Sequence, residues 1–588
     1  MSDGKILEAK IVDADQMAKE FKEHSVAEFF KKNKQMLGLY GKVRTLTTVI
    51  HEYVSNSIDA CEEANILPDI DVKIEEISPE YYEVMVKDNG PGLTKDTVGK
   101  ALGQLLAGTK FHRLIQSRGQ QGIGASGCTM LSQTTTGKPT RVITGTSRGK
   151  PISLELSIDP KLNRPKITNL KELDREFRGL AVQAKLKGIL YRDSEQGPLE
   201  YLRRTAIANP HAQIKFTDPA GQKFLFKRSA AAIPKPPVAV KPHPKGVTVD
   251  EIVTLSKYTK ARNVSSFLRG DFDRMGQKSL DEISKKVSFD MKKDPKQLMW
   301  EEAEEIVKAF KSTDFIAPSA DALRPIGEQR IKKSLENIVE PEFSHVLTRK
   351  PQVYAGGFPF QVEIAICYGG RAGRTVQGQE GQEKRLEIMR FANRAPLLFD
   401  AGNCAITKAV HSIDWKRYDI KDIDRAPVTV LVNFLSVYVP YTGAGKQAIA
   451  DEEEVLEEIR LALMQSGRKA GRYISTKRKE AERQMKRELF YKYIPEIVNA
   501  LNAITKVDKG ILDKRLRKMV LTKLKLDEAK EAEEAAENGE EEGKEAGKKG
   551  EKKKPGEEEG DAKKEKPSKG KEKPAKKEKA PKKKAVKK

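Results

Sequence analysis

Apolar residues in the stretch 26–225 follow two different periods. From residue 46 to 61 they recur at helical spacing, which predicts an amphipathic helix; these residues are Leu46, Val49, Ile50, Tyr53, Val54, Ile58 and Cys61. From residue 70 to 86 they alternate with polar residues in two runs, which predicts two strands; these residues are Ile70, Val72, Ile74, Tyr82, Val84 and Val86. The combined pattern predicts an α/β sandwich.

The rest of the chain changes pattern several times. Prolines at 234–244 predict a linker, and residues 245–320 are expected to form short helices broken by Gly246, Gly270, Gly276 and Pro295. An α/β pattern returns at 322–475, with strands expected at 361–367 and 427–439. A long charged helix is expected over 451–493, followed by a further helical piece to about 525.

The pattern gives five predicted regions, because 588 residues are too many for one hydrophobic core. They are an α/β domain with an N-terminal extension (1–228), a helical domain (229–321), a second α/β domain with a long C-terminal helix (322–475), a helical segment (476–525) and a tail (526–588). The tail is rich in Glu, Lys, Ala, Gly and Pro, with little to bury, and is expected to be disordered.

The charge of the chain favours a polyanionic partner. The formal net charge is +24 and the isoelectric point is about 9.4, which is typical of nucleic-acid binding, although solubility alone is an alternative. Four widely spaced cysteines predict neither a zinc site nor disulfides. With no signal-peptide pattern and no apolar run long enough for a membrane span, we expect a cytoplasmic, nucleoid-associated protein without membrane contact.

The predicted helix 46–61 carries a carboxylate and an amide one turn apart. Glu52 and Asn56 share one face, opposite the stripe of Leu46, Ile50 and Val54. An amide oxygen can ligate Mg²⁺, and a carboxylate can accept a proton from an attacking water molecule. Taken alone, the pair is more typical of an ordinary solvated helix face.

Two glycine-rich segments follow. Asp88-Asn-Gly-Pro-Gly92 comes directly after a predicted strand, where an Asp can accept a hydrogen bond from an adenine amino group; a glycine-rich hairpin is the alternative. Residues 118–127, RGQQGIGASG, are preceded by Gly108-Thr-Lys110 and can form a phosphate cradle at a helix N-terminus. The loop lacks the GK[ST] ending of a Walker motif.

The three segments in this order resemble the nucleotide-binding boxes of the GHKL ATPase superfamily over residues 45–185. The resemblance implies ATP as substrate, Glu52 as general base, Asn56 as the Mg²⁺ ligand and Asp88 as the adenine acceptor. It further implies that the nucleotide contacts Gly90, Gly92, Thr109, Lys110, Gly119, Gln120, Gln121, Gly122, Ile123, Gly124, Ala125 and Ser126. The sequence departs from the superfamily at Arg178-Gly-Leu180, where Leu180 stands in place of a Thr that usually contacts the Asp.

Later segments resemble the topoisomerase VI B subunit family more specifically. Residues 241–276 are similar to its helix–two-turn–helix domain, and 391–398 and 414–418 to its transducer domain. Val439-Pro-Tyr-Thr-Gly-Ala-Gly-Lys446 is similar to the transducer loop that brings a lysine to the γ-phosphate. The resemblance covers about residues 20–475.

This resemblance implies the ATP-hydrolysing subunit of a type II DNA topoisomerase. It implies ATP-driven dimerisation, capture of double-stranded DNA and an A₂B₂ assembly with a DNA-cleaving A subunit, which relaxes supercoils and decatenates DNA. A MutL-like clamp and a chaperone ATPase are the alternatives from other classes. A histidine kinase is disfavoured because His24 has no helical hairpin around it, and the Asp271-Phe-Asp273 pair is expected at a helix end or in a loop rather than in a cleavage domain.

Overall fold

The computed structural model describes residues 25–107, 115–119, 122–236, 238–316, 320–354, 358–378, 381–443 and 445–523. The chain divides into two compact units between Arg478 and Lys479. The N-terminal extension before residue 25 and the tail after residue 523 lie outside the described residues, as do His24, Thr109, Lys110, Gln120 and Gln121.

The first part of the chain forms an eight-stranded sheet with helices on one side. The strand order is β5-β4-β3-β6-β2-β1-β7-β8, and it is antiparallel except for the parallel pair β1–β7. The strands are β1 (Asp69–Ser78), β2 (Tyr81–Lys87), β3 (Thr140–Gly145), β4 (Ile152–Asp159), β5 (Arg164–Glu172), β6 (Gly179–Lys187), β7 (Gln213–Thr217) and β8 (Lys223–Phe226). The helices are Val26–Lys32, Lys42–Glu63, Lys95–Gly103, Gly124–Thr136 and Pro198–Ala208.

The alternating pattern of the sequence is visible in this sheet. Every second residue is buried in β1 from Asp69 to Ile74 and in β2 from Tyr81 to Val86. The Lys42–Glu63 helix buries the apolar stripe from Leu46 to Cys61 in the same core. The predicted sandwich, helix and strands are therefore confirmed.

A helical segment with its own core follows. Its helices are Val249–Tyr258, Val264–Asp271, Gln277–Ser284 and Trp300–Lys311. Gly270 is the penultimate residue of the second of these helices, which ends at Asp271, so the expected break falls within one residue of this glycine. Asp271 ends this helix and Asp273 follows in a turn, so the pair has the predicted setting.

The next region is a second α/β layer. A six-stranded sheet has the order β10-β11-β16-β14-β15, with β9 paired to β11, and β12 and β13 form a separate hairpin. The strands are β9 (Phe343–Thr348), β10 (Gln352–Tyr354), β11 (Phe358–Tyr368), β12 (Arg374–Gly378), β13 (Gly381–Arg385), β14 (Glu387–Ala392), β15 (Ala395–Pro396) and β16 (Val428–Ser436). The helices are Glu328–Ile338, Ala405–His411 and the beginning of Glu453–Thr505.

The two predicted strands of this layer are present. β11 contains the predicted 361–367, whereas β16 ends at Ser436 rather than at 439, because the backbone turns before Pro440. Short 3-10 helices occur at Lys34–Leu37, Pro244–Gly246, Pro295–Gln297, Ala320–Ala322, Ala401–Asn403 and Trp415–Tyr418.

The C-terminal helix is longer than predicted. It runs through Pro495 and ends at Thr505, where Lys506 adopts a left-handed conformation with φ +59°. A second helix over 509–523 begins after Asp508, whose carboxylate accepts from the backbone N–H groups of Gly510 (2.8 Å) and Ile511 (3.1 Å). Ile494 and Val498 are buried on either side of Pro495, so packing of this face offsets the hydrogen bond that the proline removes.

Candidate ATP site

The Lys42–Glu63 helix supports the centre of the candidate site. Its apolar stripe is buried against the sheet, whereas Asn56 is exposed and Glu52 is partly exposed. The two polar side chains therefore face away from the core on adjacent turns, as the sequence predicts.

Glu52 lies against the start of the Gly124–Thr136 helix. A Cβ atom at Gly124 would stand 1.7 Å from Glu52 Oε2, so only glycine leaves room for the carboxylate. A helix N-terminus presents unpaired backbone N–H groups and a partial positive charge, which favours both this carboxylate and the terminal phosphates of a nucleotide.

The described part of the glycine-rich loop leads into the same helix. Gly119 is near Asn56, with 3.6 Å between the Asn56 amide oxygen and the position of a Cβ at Gly119. Gly122 has a left-handed φ of +59°. The predicted contacts Ile123, Ala125 and Ser126 are buried, and the Ser126 hydroxyl donates to the Ile123 carbonyl at 3.3 Å. The side chains of these three residues are therefore turned toward the protein.

Asp88 is held by hydrogen bonds from three directions. It is 2% exposed. Oδ2 accepts from the Ser57 hydroxyl at 2.7 Å, and Oδ1 accepts from the backbone N–H groups of Gly90 at 2.9 Å and Leu180 at 3.0 Å. Burial raises the pKa of Asp88, while these three donors act in the opposite direction. The donors fix the carboxylate in one orientation, with an acceptor lone pair left on Oδ2.

Leu180 stands in place of the usual Thr, but the contact to Asp88 is kept, because the backbone N–H of Leu180 makes it. The Asp88 backbone N–H in turn donates to the Leu180 carbonyl at 2.8 Å. A Cβ at Gly179, which has φ +113°, would stand 2.1 Å from the Asp88 carbonyl oxygen, so this close approach requires glycine. Gly92 also has a left-handed φ, of +72°.

Lys446 reaches the same region from the second α/β layer. It has a left-handed φ of +52°, and its backbone N–H donates to the Gly443 carbonyl at 3.1 Å. It lines a cavity together with Glu52 and the first residue of the Gly124–Thr136 helix. The cavity is lined by Leu37, Leu39, Thr48, Glu52, Ile123, Gly124, Cys128 and Lys446.

A half-buried arginine, Arg44, supports the segment next to this loop. Arg44 pairs with Asp400 through two hydrogen bonds of 2.8 and 2.9 Å, and its guanidinium lies over the rings of Tyr40 (4.0 Å) and Phe399 (4.7 Å). The Phe399 backbone N–H donates to the side-chain oxygen of Gln447 at 3.3 Å, next to Lys446. Sequence reasoning missed Arg44, because its partner lies 356 residues further along the chain.

His51, the residue before Glu52, carries no positive charge near neutral pH. Burial lowers the pKa of His51, and this effect outweighs the opposing charge of Glu52. Lys446 and Arg118 lower the pKa of His51 further. Lys446 is therefore the cation that the cavity presents.

The described residues contain no group of three or more His, Cys, Asp or Glu side chains placed to hold a metal ion. All four cysteines are buried and free. Among the helices that the structure describes, none combines the length and the apolar character needed to cross a membrane.

Two family models match the chain. Residues 41–160 match the family "Histidine kinase-, DNA gyrase B-, and HSP90-like ATPase", and residues 318–486 match "Topoisomerase VI B subunit, transducer". The ATPase region of Saccharomyces cerevisiae topoisomerase II is a distant structural neighbour, 12% identical with a TM-score of 0.36, and covers 78% of this chain and 99% of its own.

Relatives match over nearly the whole chain. The B subunit of the type 2 DNA topoisomerase 6 of Pyrococcus horikoshii is 45% identical, covering 89% of this chain and 99% of the relative. That of Methanothermobacter thermautotrophicus is 46% identical, covering 81% of this chain and 91% of the relative. The chain therefore belongs to the topoisomerase VI B subunit family and is the nucleotide-binding, ATP-driven subunit of a type II DNA topoisomerase.

Proposed function

We propose that ATP binds between the Lys42–Glu63 helix and the Gly124–Thr136 helix, and that Glu52 is the general base for its hydrolysis. The observation that carries the proposal is the cavity where Glu52 and Lys446 meet at a helix N-terminus. A carboxylate there can accept a proton from the attacking water, while backbone N–H groups and Lys446 stabilise charge on the γ-phosphate.

The adenine end of the site is Asp88. Its Oδ2 accepts from the Ser57 hydroxyl and can accept in addition from an adenine amino group. Because Oδ1 is already held by Gly90 and Leu180, the carboxylate is oriented before the nucleotide arrives. Gly90 and Gly92 allow the backbone to approach the adenine ring closely.

The residues present fit a magnesium ion. Mg²⁺ prefers oxygen ligands, keeps several waters and is bound largely through substrate phosphates, so one protein ligand is sufficient. Asn56 is exposed, close to Gly119 and one turn from Glu52. Asn56 would hold the ion through its amide oxygen, and the ion would neutralise charge on the phosphates.

The phosphates are contacted by residues 119–126, with Thr109, Lys110, Gln120 and Gln121 of the sequence pattern contributing from segments outside the described residues. Lys446 donates to the γ-phosphate and reports its presence to the second α/β layer. This layer, residues 322–475, is the transducer domain; residues 1–228 are the ATPase domain, and 229–321 the helix–two-turn–helix domain. Residues 476–525 form a C-terminal helical segment, and residues 526–588 are assigned as a separate Glu- and Lys-rich tail.

ATP binding closes two copies of this chain into a gate that captures a DNA duplex. Together with two DNA-cleaving A subunits they form an A₂B₂ enzyme that passes the captured duplex through a double-strand break. The net charge of +24 supports DNA as the partner. The near-full-length match to type II topoisomerase subunits favours strand passage over a MutL-like clamp.

The test separates binding from chemistry. Glu52→Gln keeps the shape of the side chain but cannot accept the proton, so we expect ATP hydrolysis to be lost while a non-hydrolysable ATP analogue still binds. Asn56→Ala should weaken Mg²⁺-ATP binding itself. Hydrolysis by Glu52→Gln at the wild-type rate would refute the assignment of the base.

Strand passage is tested with the partner. Supercoiled plasmid, ATP and Mg²⁺ are incubated with this chain alone and with the A subunit. Relaxation only in the presence of both subunits is expected. A chain that binds DNA on ATP addition, yet never supports relaxation with the A subunit, would instead be a clamp.

A further inference from the structure

A tight turn of the transducer carries two residues in an unfavourable conformation. Asn393 and Arg394 join β14 to β15 and have φ values of +50° and +68°. Hairpin turns of this kind favour Asn followed by Gly, so an arginine at the second position is strained. Such strain persists only where surrounding contacts hold it.

Contacts with β16 hold the turn. The Asn393 side chain accepts from the backbone N–H of Ser436 at 3.0 Å and donates to the Ser436 carbonyl at 2.9 Å. The Arg394 backbone N–H donates to the Asn433 side chain at 3.1 Å. The turn is therefore fixed to the central part of the transducer sheet.

The Arg394 side chain leaves its own domain and is buried in the ATPase domain. Its guanidinium donates to Glu62 Oε2 at 2.8 Å, on the helix that carries Glu52. The other oxygen of Glu62 pairs with Arg118 at 2.8 Å and with His211 at 2.9 Å. Arg118 also pairs with Asp59, one turn before Glu62.

The same turn contacts the segment that leads into the phosphate loop. The Asn393 side chain donates to the Ser117 carbonyl at 3.1 Å, one residue before the buried Arg118. The neighbouring Gln116 accepts from the Arg324 backbone N–H. Residues 115–119 are thus held from the transducer on one side and from the Lys42–Glu63 helix on the other.

The charges of this cluster balance only when both arginines are in place. Two carboxylates, Asp59 and Glu62, face two guanidiniums, while burial lowers the pKa of His211 and keeps it neutral near pH 7. Because these groups are removed from water, separating either arginine from Glu62 leaves a poorly compensated buried charge. The position of Arg118 and the position of Arg394 are therefore energetically linked.

We infer that the Asn393–Arg394 turn is a positioning element that ties the start of the phosphate loop to the transducer sheet, on a route separate from Lys446. The inference rests on the proposed function, since it takes Gly119 and residues 122–126 as phosphate contacts. A shift of Gly119 on nucleotide binding displaces the adjacent Arg118, and Glu62 and Arg394 pass this displacement to β16. Arg394 touches no substrate and acts through other residues.

The variant Arg394→Gly isolates the side chain. Glycine suits the left-handed conformation and gives the favoured Asn-Gly pair, so the turn is retained, and Arg118 and His211 still pair with Glu62. Arg394→Lys keeps the charge but loses the planar fork. Arg349→Gln is the matched control, because Arg349 pairs with Glu458 at 2.6 and 3.2 Å, entirely within the transducer.

Two quantities are measured on the assembled enzyme: the plasmid relaxation per ATP hydrolysed, and the protection from hydrogen exchange that a bound ATP analogue gives to each domain. We expect Arg394→Gly to reduce plasmid relaxation per ATP hydrolysed by about tenfold, since couplings between sites commonly correspond to roughly 5–150-fold effects. Arg394→Lys should fall between Arg394→Gly and wild type, and Arg349→Gln should keep the wild-type ratio.

Hydrogen exchange tests transmission directly. In the wild type, a non-hydrolysable ATP analogue should protect residues 122–136 and also 428–436. In Arg394→Gly the protection of residues 122–136 should persist, whereas the protection of residues 428–436 should be lost. An unchanged relaxation ratio and unchanged protection in Arg394→Gly would overturn the inference, whereas normal hydrolysis by Glu52→Gln would overturn the proposed function instead.

Discussion

A single methyl group at Gly124 is expected to disable the catalytic base. In Gly124→Ala the new Cβ would stand 1.7 Å from Glu52 Oε2, 2.3 Å from Cδ and 3.0 Å from Oε1. Since Cβ contacts below 3.0 Å essentially never occur, Oε2 must move by at least about 1.3 Å. The carboxylate ends a flexible side chain, so it yields and the fold persists.

The magnitude follows from this displacement. A shift of about 1 Å in a catalytic group can cost on the order of 100-fold in rate, which corresponds to about 2.7 kcal/mol in the activation free energy. We therefore expect kcat for ATP hydrolysis to fall about 100-fold in Gly124→Ala. Binding of a non-hydrolysable ATP analogue should weaken much less, because the backbone N–H groups of the loop remain.

Gly270→Ala is the matched control. Gly270 lies in a helix, has an ordinary φ and has no neighbouring atom within 4 Å of the position that a methyl group would take. Its substitution should leave kcat unchanged and stabilise the helix by less than about 1 kcal/mol. Steady-state hydrolysis and analogue binding are measured for both variants. A Gly124→Ala protein that hydrolyses ATP at more than half the wild-type rate would refute the placement of Glu52.

Three further predictions concern other parts of the chain. Lys446→Ala should slow ATP hydrolysis and separate it from plasmid relaxation; relaxation at the wild-type rate would remove Lys446 from the mechanism. Arg118→Met should destabilise the fold by about 3–5 kcal/mol, because it leaves carboxylates buried without their partner. Burial alone raises the pKa of Glu62, but Arg118, Arg394 and His211 hold it well below its usual value. The stability from Glu62 is therefore present above the unfolded pKa of about 4.3 and is lost only as pH falls through the lower folded pKa. Without Arg118 that pKa rises, so the difference in Tm between variant and wild type should be smaller at pH 5 than at pH 8; an equal difference would contradict this reasoning. A chain ending near Lys525 should bind duplex DNA with a shallower salt dependence than the full chain, because residues 563–588 contain many lysines and only three acidic residues. Equal salt slopes for the two chains would show that the tail serves solubility and not DNA binding.

Local patterns predicted the elements of the fold well. Helical and alternating periods located the Lys42–Glu63 helix and strands β1 and β2, because each element buries one face in a single core. The errors fell where packing overrides a local signal. Pro495 did not end the long helix, since its neighbours Ile494 and Val498 are buried.

From the residues alone, the candidate site was predicted only as separate short segments, and the resemblance to a known family brought Asp88 and Lys446 together with Glu52. Glu52 and Asn56, or the glycines of the loop, form patterns within about ten residues. Arg394 pairs with Glu62 from 332 residues away. The chain has 109 Lys and Arg residues, and no local pattern distinguishes a buried arginine such as Arg394 from the others. Ser57 was missed for the same reason, since its role depends on Asp88, 31 residues further on.

The Lys42–Glu63 helix explains why these distant residues matter to one reaction. It holds Glu52 and Asn56 at its centre, and the transducer contacts it near both ends, through Arg44 and through Glu62. Arg44 and Glu62 are 18 residues apart, so a rigid helix separates the two contacts by about 27 Å. A transducer held at two points so far apart cannot tilt away from the helix axis without breaking one of them, whereas these contacts leave rotation about that axis free. The displacement caused by the nucleotide is therefore expected at the phosphate loop, beside Lys446 and Arg118, and is passed to the transducer through these contacts.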